Sequence, residues 1–179
     1  MAGIDENATF IPLNIAVLTV SDTRTEADDT SGALLIEKLT AAGHKLAERR
    51  IVPDDRRRLG LAFEQYASDD QVDIVISTGG TGLTGRDVTP EALRDVMDKE
   101  IEGFGELFRQ LSYDIIGTST IQSRAMAALV KTTYVFCLPG STSACKDAWD
   151  GILSTQLDSR YKPCNFIELI PRLNEREPA

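Results

Sequence analysis

Apolar residues in this chain fall either into short unbroken runs or into stretches where they recur every three or four positions. Unbroken runs bounded by turn residues predict buried strands, and the wider spacing predicts amphipathic helices. Asn14 to Val20 (NIAVLTV) is the first strand. Thr30 to Ala42 reads as a helix, with Leu34, Leu35 and Leu39 on one face and Gly43 as its stop. His44 to Val52 is a second, less apolar strand, which suits a place nearer a sheet edge. After the Pro53-Asp54-Asp55 turn, Arg57 to Ala67 reads as a helix with Leu59, Phe63 and Tyr66 on one face. Ile74, Val75 and Ile76 form a buried strand. Pro90 to Ala128 reads as mostly helical, broken near Glu102-Gly103 and again near Gly117. Thr133 to Leu138 (TYVFCL) is another buried strand, and a helix running to about Leu157 precedes a proline-containing tail.

Strands alternating with helices predict an α/β fold: three layers, a mostly parallel Rossmann-like sheet with helices on both faces and right-handed crossovers. The 179 residues suit one domain, burying roughly 70% of the unfolded surface. We place that domain at residues 14–170, with an N-terminal extension over 1–13 and a C-terminal tail over 171–179.

In such folds ligands bind beyond the carboxyl ends of the strands, and three of these strands end in polar loops. The strand at Ile74 runs into Thr78-Gly79-Gly80-Thr81-Gly82, followed by Arg86, Asp87 and a Pro90 suited to the first turn of a helix. Glycines let consecutive amides point into one concave nest that holds an anion. The loop lacks the Gly-Lys-Ser/Thr ending of a P-loop. Gly80, Gly82 and Gly85 do match GxGxxG, but the helix opens too late for a dinucleotide fingerprint. The first strand ends in Ser21-Asp22-Thr23, leading to Asp29, and the last in Pro139-Gly140-Ser141, which opens a helix. For Ser141 and Asp29 there are two readings, a ligand contact or a helix cap. Two glycine-containing anion sites on one edge imply a ligand with more than one phosphate, or two phosphorylated ligands. Asp87 is the first candidate for a Mg²⁺-binding acid. Asp54 is the second, with N-capping of the next helix as its other reading.

Bulk properties narrow the choice. The composition, 42% hydrophobic and 26% charged, is that of an ordinary globular protein. A net charge of −9 argues against nucleic acid as a partner, and acidic neighbours make the Arg56-Arg57-Arg58 run a solvated helix face. No stretch approaches the ~20 apolar residues of a membrane span. The acidic start MAGIDENATF is unlike a signal peptide, so a cytoplasmic location is expected. Cys137, Cys145 and Cys164 have no CxxC spacing and His44 is the single histidine, which argues against a zinc site and against Ser-His-Asp catalysis. Phosphoryl and nucleotidyl transfer ask mainly for positioning and electrostatic stabilisation.

TGGTGLTGRDVTPEAL and EGFGELFRQLS resemble the molybdopterin-binding proteins of molybdenum cofactor biosynthesis. IGTSTIQSRA, LPGSTSACKDAW and LDSRYKPCNF are similar to the MoaB branch rather than its MogA sister, and the resemblance runs from about Ile15 to Phe166. It implies a molybdopterin-binding fold and an adenylyltransferase that moves AMP from Mg·ATP to the terminal phosphate of molybdopterin. It implies two functional aspartates, Asp54 in Ile51-Val52-Pro53-Asp54 and Asp87 in Arg86-Asp87-Val88-Thr89-Pro90, with Mg²⁺ between them and the nucleotide. Thr78, Gly79, Gly80, Thr81, Gly82, Pro139, Gly140 and Ser141 match the family's pocket, and Ser21 and Asp22 resemble its first-strand loop. The family also implies a homotrimer or a hexamer built as a dimer of trimers. A non-catalytic molybdopterin carrier of the same pathway is the alternative, since the fold also serves as a scaffold.

Overall fold

The computed structural model describes residues 2–175, so Met1 of the expected extension and residues 176–179 of the expected tail lie outside the described residues. Its elements are β1 (Gly3–Ile4), β2 (Asn14–Val20), α1 (Thr30–Ala41), β3 (Lys45–Val52), α2 (Arg56–Tyr66), β4 (Ile74–Thr78) and α3 (Thr89–Val96). There follow β5 (Lys99–Glu100), α4 (Glu102–Ile116), β6 (Met126–Val130), β7 (Thr133–Leu138), α5 (Thr142–Ala148), α6 (Ser154–Gln156) and β8 (Tyr161–Lys162). A 3₁₀ turn, Gly117–Gln122, extends α4, and a π-helical turn, Trp149–Leu153, joins α5 to α6.

Six strands form one sheet in the order β3-β2-β4-β7-β6-β5, and the neighbours from β3 through β7 run parallel. Side chains alternate along each strand, so a strand buried on both faces reads as a nearly continuous apolar run. In β2, Ile15 and Val17 join Leu35, Leu39, Phe136, Trp149 and Leu153 in the core on one face. Ala16 and Leu18 join Leu59, Phe63, Leu93 and Val135 in the core on the other. The result is the expected three-layer α/β architecture. β3 is the edge strand its mixed composition suggested, with most of its length exposed or half-buried.

The stretch from Pro90 to Ala128 departs from expectation. Its end, MAALV, is β6, fully buried and antiparallel to β7, and Lys99–Glu100 adds an antiparallel edge strand. Met, Ala and Leu are strong helix formers. Here pairing with β7 and burial on both faces override that local preference. The N-terminal segment also packs onto the domain: β1 pairs with β8, and the Phe10 ring lies 5.2 Å from that of His44. Among the described residues no helix is long and apolar enough to cross a membrane.

Candidate active site

Because β3, β2, β4 and β7 are parallel neighbours, their carboxyl ends deliver four loops to one edge of the sheet. Hydrogen bonds knit the loop starts together: the Ser21 amide donates to the Val52 carbonyl (2.9 Å) and the Gly79 amide to the Leu138 carbonyl (3.0 Å). Gly79 sits at φ +105° between these neighbours, where a Cβ would collide with the Val20 carbonyl oxygen. A Cβ on Gly140 would lie 3.2 Å from the Gly79 Cα, so glycine is what lets the two loops close on each other.

The Gly79 carbonyl accepts from Thr89 Oγ1 (2.9 Å) and the Gly80 carbonyl from the Thr89 amide (3.0 Å), which ties both oxygens to the start of α3. Among the described residues no protein acceptor takes the amides of Gly80 and Thr81. Two adjacent unpaired donors on a glycine loop are the kind of group an anion-binding concavity uses. Arg124 fixes the far side of the loop, donating from Nε to the Gly82 carbonyl and from an η nitrogen to the Asp87 carbonyl (both 2.8 Å) while pairing with Glu91.

These loops line a cavity of about 620 Å³, within the range of ligand pockets. Thr78 to Gly82, Asp87, Ser21 and Pro139 to Ser141 all face it. The opposite wall is apolar, made by Phe108, Ile115 and Ile116 of α4. Thr78 contributes shape rather than a free hydroxyl, because its Oγ1 donates to the Pro139 carbonyl (2.9 Å) and touches the Cys145 sulfur (3.1 Å). Burial pushes the Cys145 thiol up to about 11, so it is an inert packing group there.

The four aspartates differ in kind. Asp29 does not face the cavity: its carboxylate is fully buried, capping α1 through the Gly32 amide and accepting from Thr19 and Arg49. Burial alone would raise its pKa, but the bonds from Gly32, Thr19 and Arg49 outweigh burial and hold it below the usual carboxylate value. Ser141 caps α5, accepting from the Ala144 amide, and still faces the cavity. Asp22 is paired with Arg86 and accepts the Asp54 amide. Asp54 is not a cap, since Asp55 caps α2.

Contrary to expectation neither Asp22 nor Asp54 lines the cavity. Asp54 lies against the glycine loop at its edge, its Oδ1 2.8 Å from where a Gly80 Cβ would stand. Among the described residues no donor reaches its carboxylate. Burial first, then the charges of Asp22 and Asp87, raise its pKa, with Arg86 opposing. Burial also raises that of Asp87, but the Thr84 and Gly82 bonds and the Arg124 charge prevail and lower it. Asp87 thereby anchors the loop: its Oδ2 accepts from the Thr84 amide (2.9 Å) and hydroxyl (2.6 Å). Among the described residues no three His, Cys, Asp or Glu side chains are placed to hold a metal ion unaided. A magnesium ion that takes its other ligands from phosphates and water needs only one or two carboxylates. The under-neutralised Asp54 beside Asp87 fits that requirement.

Sequence reasoning missed Arg24, Asp147 and the apolar wall of α4. The helical spacing of Phe108 and Ile115 was visible, but which face meets the loops depends on how α4 docks. Arg24 stands two residues past Asp22 in a loop with no periodicity to read.

Known proteins share this order of segments. Residues 16–159 match the family described as probable molybdopterin binding domain. Over 157 residues the chain is 50% identical to molybdenum cofactor biosynthesis protein B of Escherichia coli (strain K12), spanning 88% of this chain and 92% of that one. A crystal structure of a molybdenum cofactor biosynthesis protein B superposes with a TM-score of 0.83 at 38% identity, over 93% of this chain and 98% of the other. The tungsten cofactor synthesizing protein MoaB from Pyrococcus furiosus gives 0.76 at 34%, over 92% and 98%. The glycine loop, the three loops around it and these matches together make the chain a member of the MoaB/MogA molybdopterin-binding family of molybdenum cofactor biosynthesis.

Proposed function

We propose that this protein is a nucleotidyltransferase that adenylylates molybdopterin, moving AMP from Mg·ATP to the pterin's terminal phosphate and releasing pyrophosphate. The observation that supports this most is the Asp54 carboxylate, half-buried, unpaired by any described donor and crowded by Asp22 and Asp87 beside an amide nest. The fully buried Asp29, by contrast, has its charge neutralised within the protein.

In the reaction a phosphate oxygen of the pterin attacks the α-phosphorus in line. The new P–O bond forms as the bond from that phosphorus to the bridging oxygen breaks, and pyrophosphate leaves with the electron pair. Little covalent work falls to the protein, whose part is alignment and charge balance. The Gly80 and Thr81 amides offer donors to phosphate oxygens. Asp54 and Asp87 would hold Mg²⁺, which when bound neutralises charge on the triphosphate.

The test is pyrophosphate release and adenylyl-molybdopterin formation by purified protein with Mg·ATP and molybdopterin. Turnover should require all three and stop with a magnesium chelator. Tight pterin binding without turnover would overturn the enzyme reading and leave a molybdopterin carrier.

On this reading the protein works in the cytoplasm as a homotrimer or a hexamer. Exposed Leu107 and Tyr113 on α4 and Ile121 in the turn after it offer apolar surface for self-association. Light scattering should return three or six times the chain mass of 19.6 kDa, and a monomer would contradict it.

A further inference from the structure

We propose that Arg24 binds the terminal phosphate of the pterin ligand and is the protein's charge partner for it. The proposal rests on the cavity's taking molybdopterin, and not on adenylyl transfer. Among the described residues lining the cavity Arg24 is the sole Arg or Lys, whereas Asp87 and Asp147 also face it. A phosphate monoester brought into such surroundings needs a cation, and the other nearby guanidiniums are engaged. Arg86 is paired with Asp22, and Arg124 is spent on loop carbonyls and Glu91.

Arg24 does not have its ion-pair partner to itself. Asp29 lies 3.5 Å from one η nitrogen of Arg24, but the same carboxylate also holds Arg49 at 3.2 Å. Two guanidiniums share one buried carboxylate, so Arg24 has only part of a counter-ion in its own ion pair. The side chain is also aimed. Its η nitrogens donate to Ser31 Oγ (3.3 Å) and the Gly140 carbonyl (3.4 Å), yet it remains 34% exposed. A planar guanidinium fixed in this way offers its remaining donors to phosphate oxygens as a fork.

Position decides between the two phosphate-bearing ligands. Arg24 stands on the loop after β2, is tied to the loop after β7 and lines the cavity, whereas Asp54, after the edge strand β3, is not among the lining residues. A triphosphate held at Asp54 and Asp87 arrives with its own magnesium. A metal-free monoester has no such cation and takes Arg24.

The experiment is titration of molybdopterin into the whole protein, without metal or nucleotide, for wild type, Arg24→Gln and Arg24→Lys. A parallel titration uses Mg²⁺ with α,β-methylene-ATP, and thermal midpoints report the fold. Arg24→Gln should weaken pterin binding about 10- to 100-fold, the worth of a hydrogen bond to a charged group, and Arg24→Lys should restore part of it. Wild-type affinity should rise with pH through the second phosphate ionisation, near about 6, and Arg24→Gln should flatten that rise. Nucleotide affinity should stay within a few fold. Unchanged pterin affinity or an unchanged pH slope in Arg24→Gln would overturn the proposal. So would weakening confined to the nucleotide, or equal loss of both ligands with a fallen midpoint. Failure of wild type to release pyrophosphate would sink adenylyl transfer while leaving this result intact.

Discussion

Asp54→Asn should cut turnover by about 10²–10³-fold, the usual loss when one preorganised charge-stabilising group is removed, while leaving a fold slightly more stable at neutral pH. The stability gain follows from the surroundings of the carboxylate. Burial, then Asp22 and Asp87, raise its pKa above the ordinary 3.8, and Arg86 only partly offsets them. A carboxyl whose folded pKa is raised is destabilising when ionised, so the native state takes up its proton first as pH falls. The Asn variant should therefore melt above wild type at neutral pH. Its advantage should shrink as pH falls through the raised value and be gone below 3.8, where the wild-type carboxyl is protonated in both states. Thermal midpoints across that range, together with pyrophosphate release, read both effects. A lower midpoint at neutral pH would make Asp54 a structural acid and remove the main support for the enzyme reading. Asp87→Asn is a poorer probe, since it also disturbs the bonds from Thr84 that anchor the loop.

The layers, the parallel strands and the edge place of β3 were legible because a strand covered on both faces is mostly apolar, and β2, β4 and β7 are. β6 was not, because MAALV is as good a helix as a strand until β7 lies beside it. The site divides in the same way. The glycine loop announced itself through close approach, a backbone property written in the residue type. Asp29 carried the same letters as a ligand acid, and only its burial with Arg49 and Thr19 shows it to be a cap and buttress. Asp54 was ambiguous until Asp55 proved to hold the α2 cap. Arg24 acts through a bond to Gly140, more than a hundred residues away in the chain, and Phe108 lines one cavity with the distant first-strand loop. No local pattern encodes such contacts.

Gly79→Ala and Gly82→Ala should separate the two uses of glycine in one loop. Gly79 lies at φ +105°, outside the range alanine favours, and a Cβ there meets a backbone carbonyl that cannot turn aside. Left-handed strain and overpacking together amount to about 3–5 kcal/mol, out of about 5–15 for a whole domain. The melting point should fall by about 10 °C, with pterin binding lost because β2, β4 and β7 can no longer bring their loops together. At Gly82 a Cβ would stand 2.8 Å from the Asp87 Oδ2, a side-chain atom held by Thr84 rather than backbone. Gly82→Ala should melt between Gly79→Ala and wild type, since moving the carboxylate loosens its bonds from Thr84. It should still bind pterin yet turn over slowly, because the displaced carboxylate no longer aligns the nucleotide. Were Gly82→Ala as unstable as Gly79→Ala, the loop would be rigid throughout and Asp87 chiefly its anchor. Were Gly79→Ala stable, the close approach of the β2 and β4 ends would not be what builds the cavity.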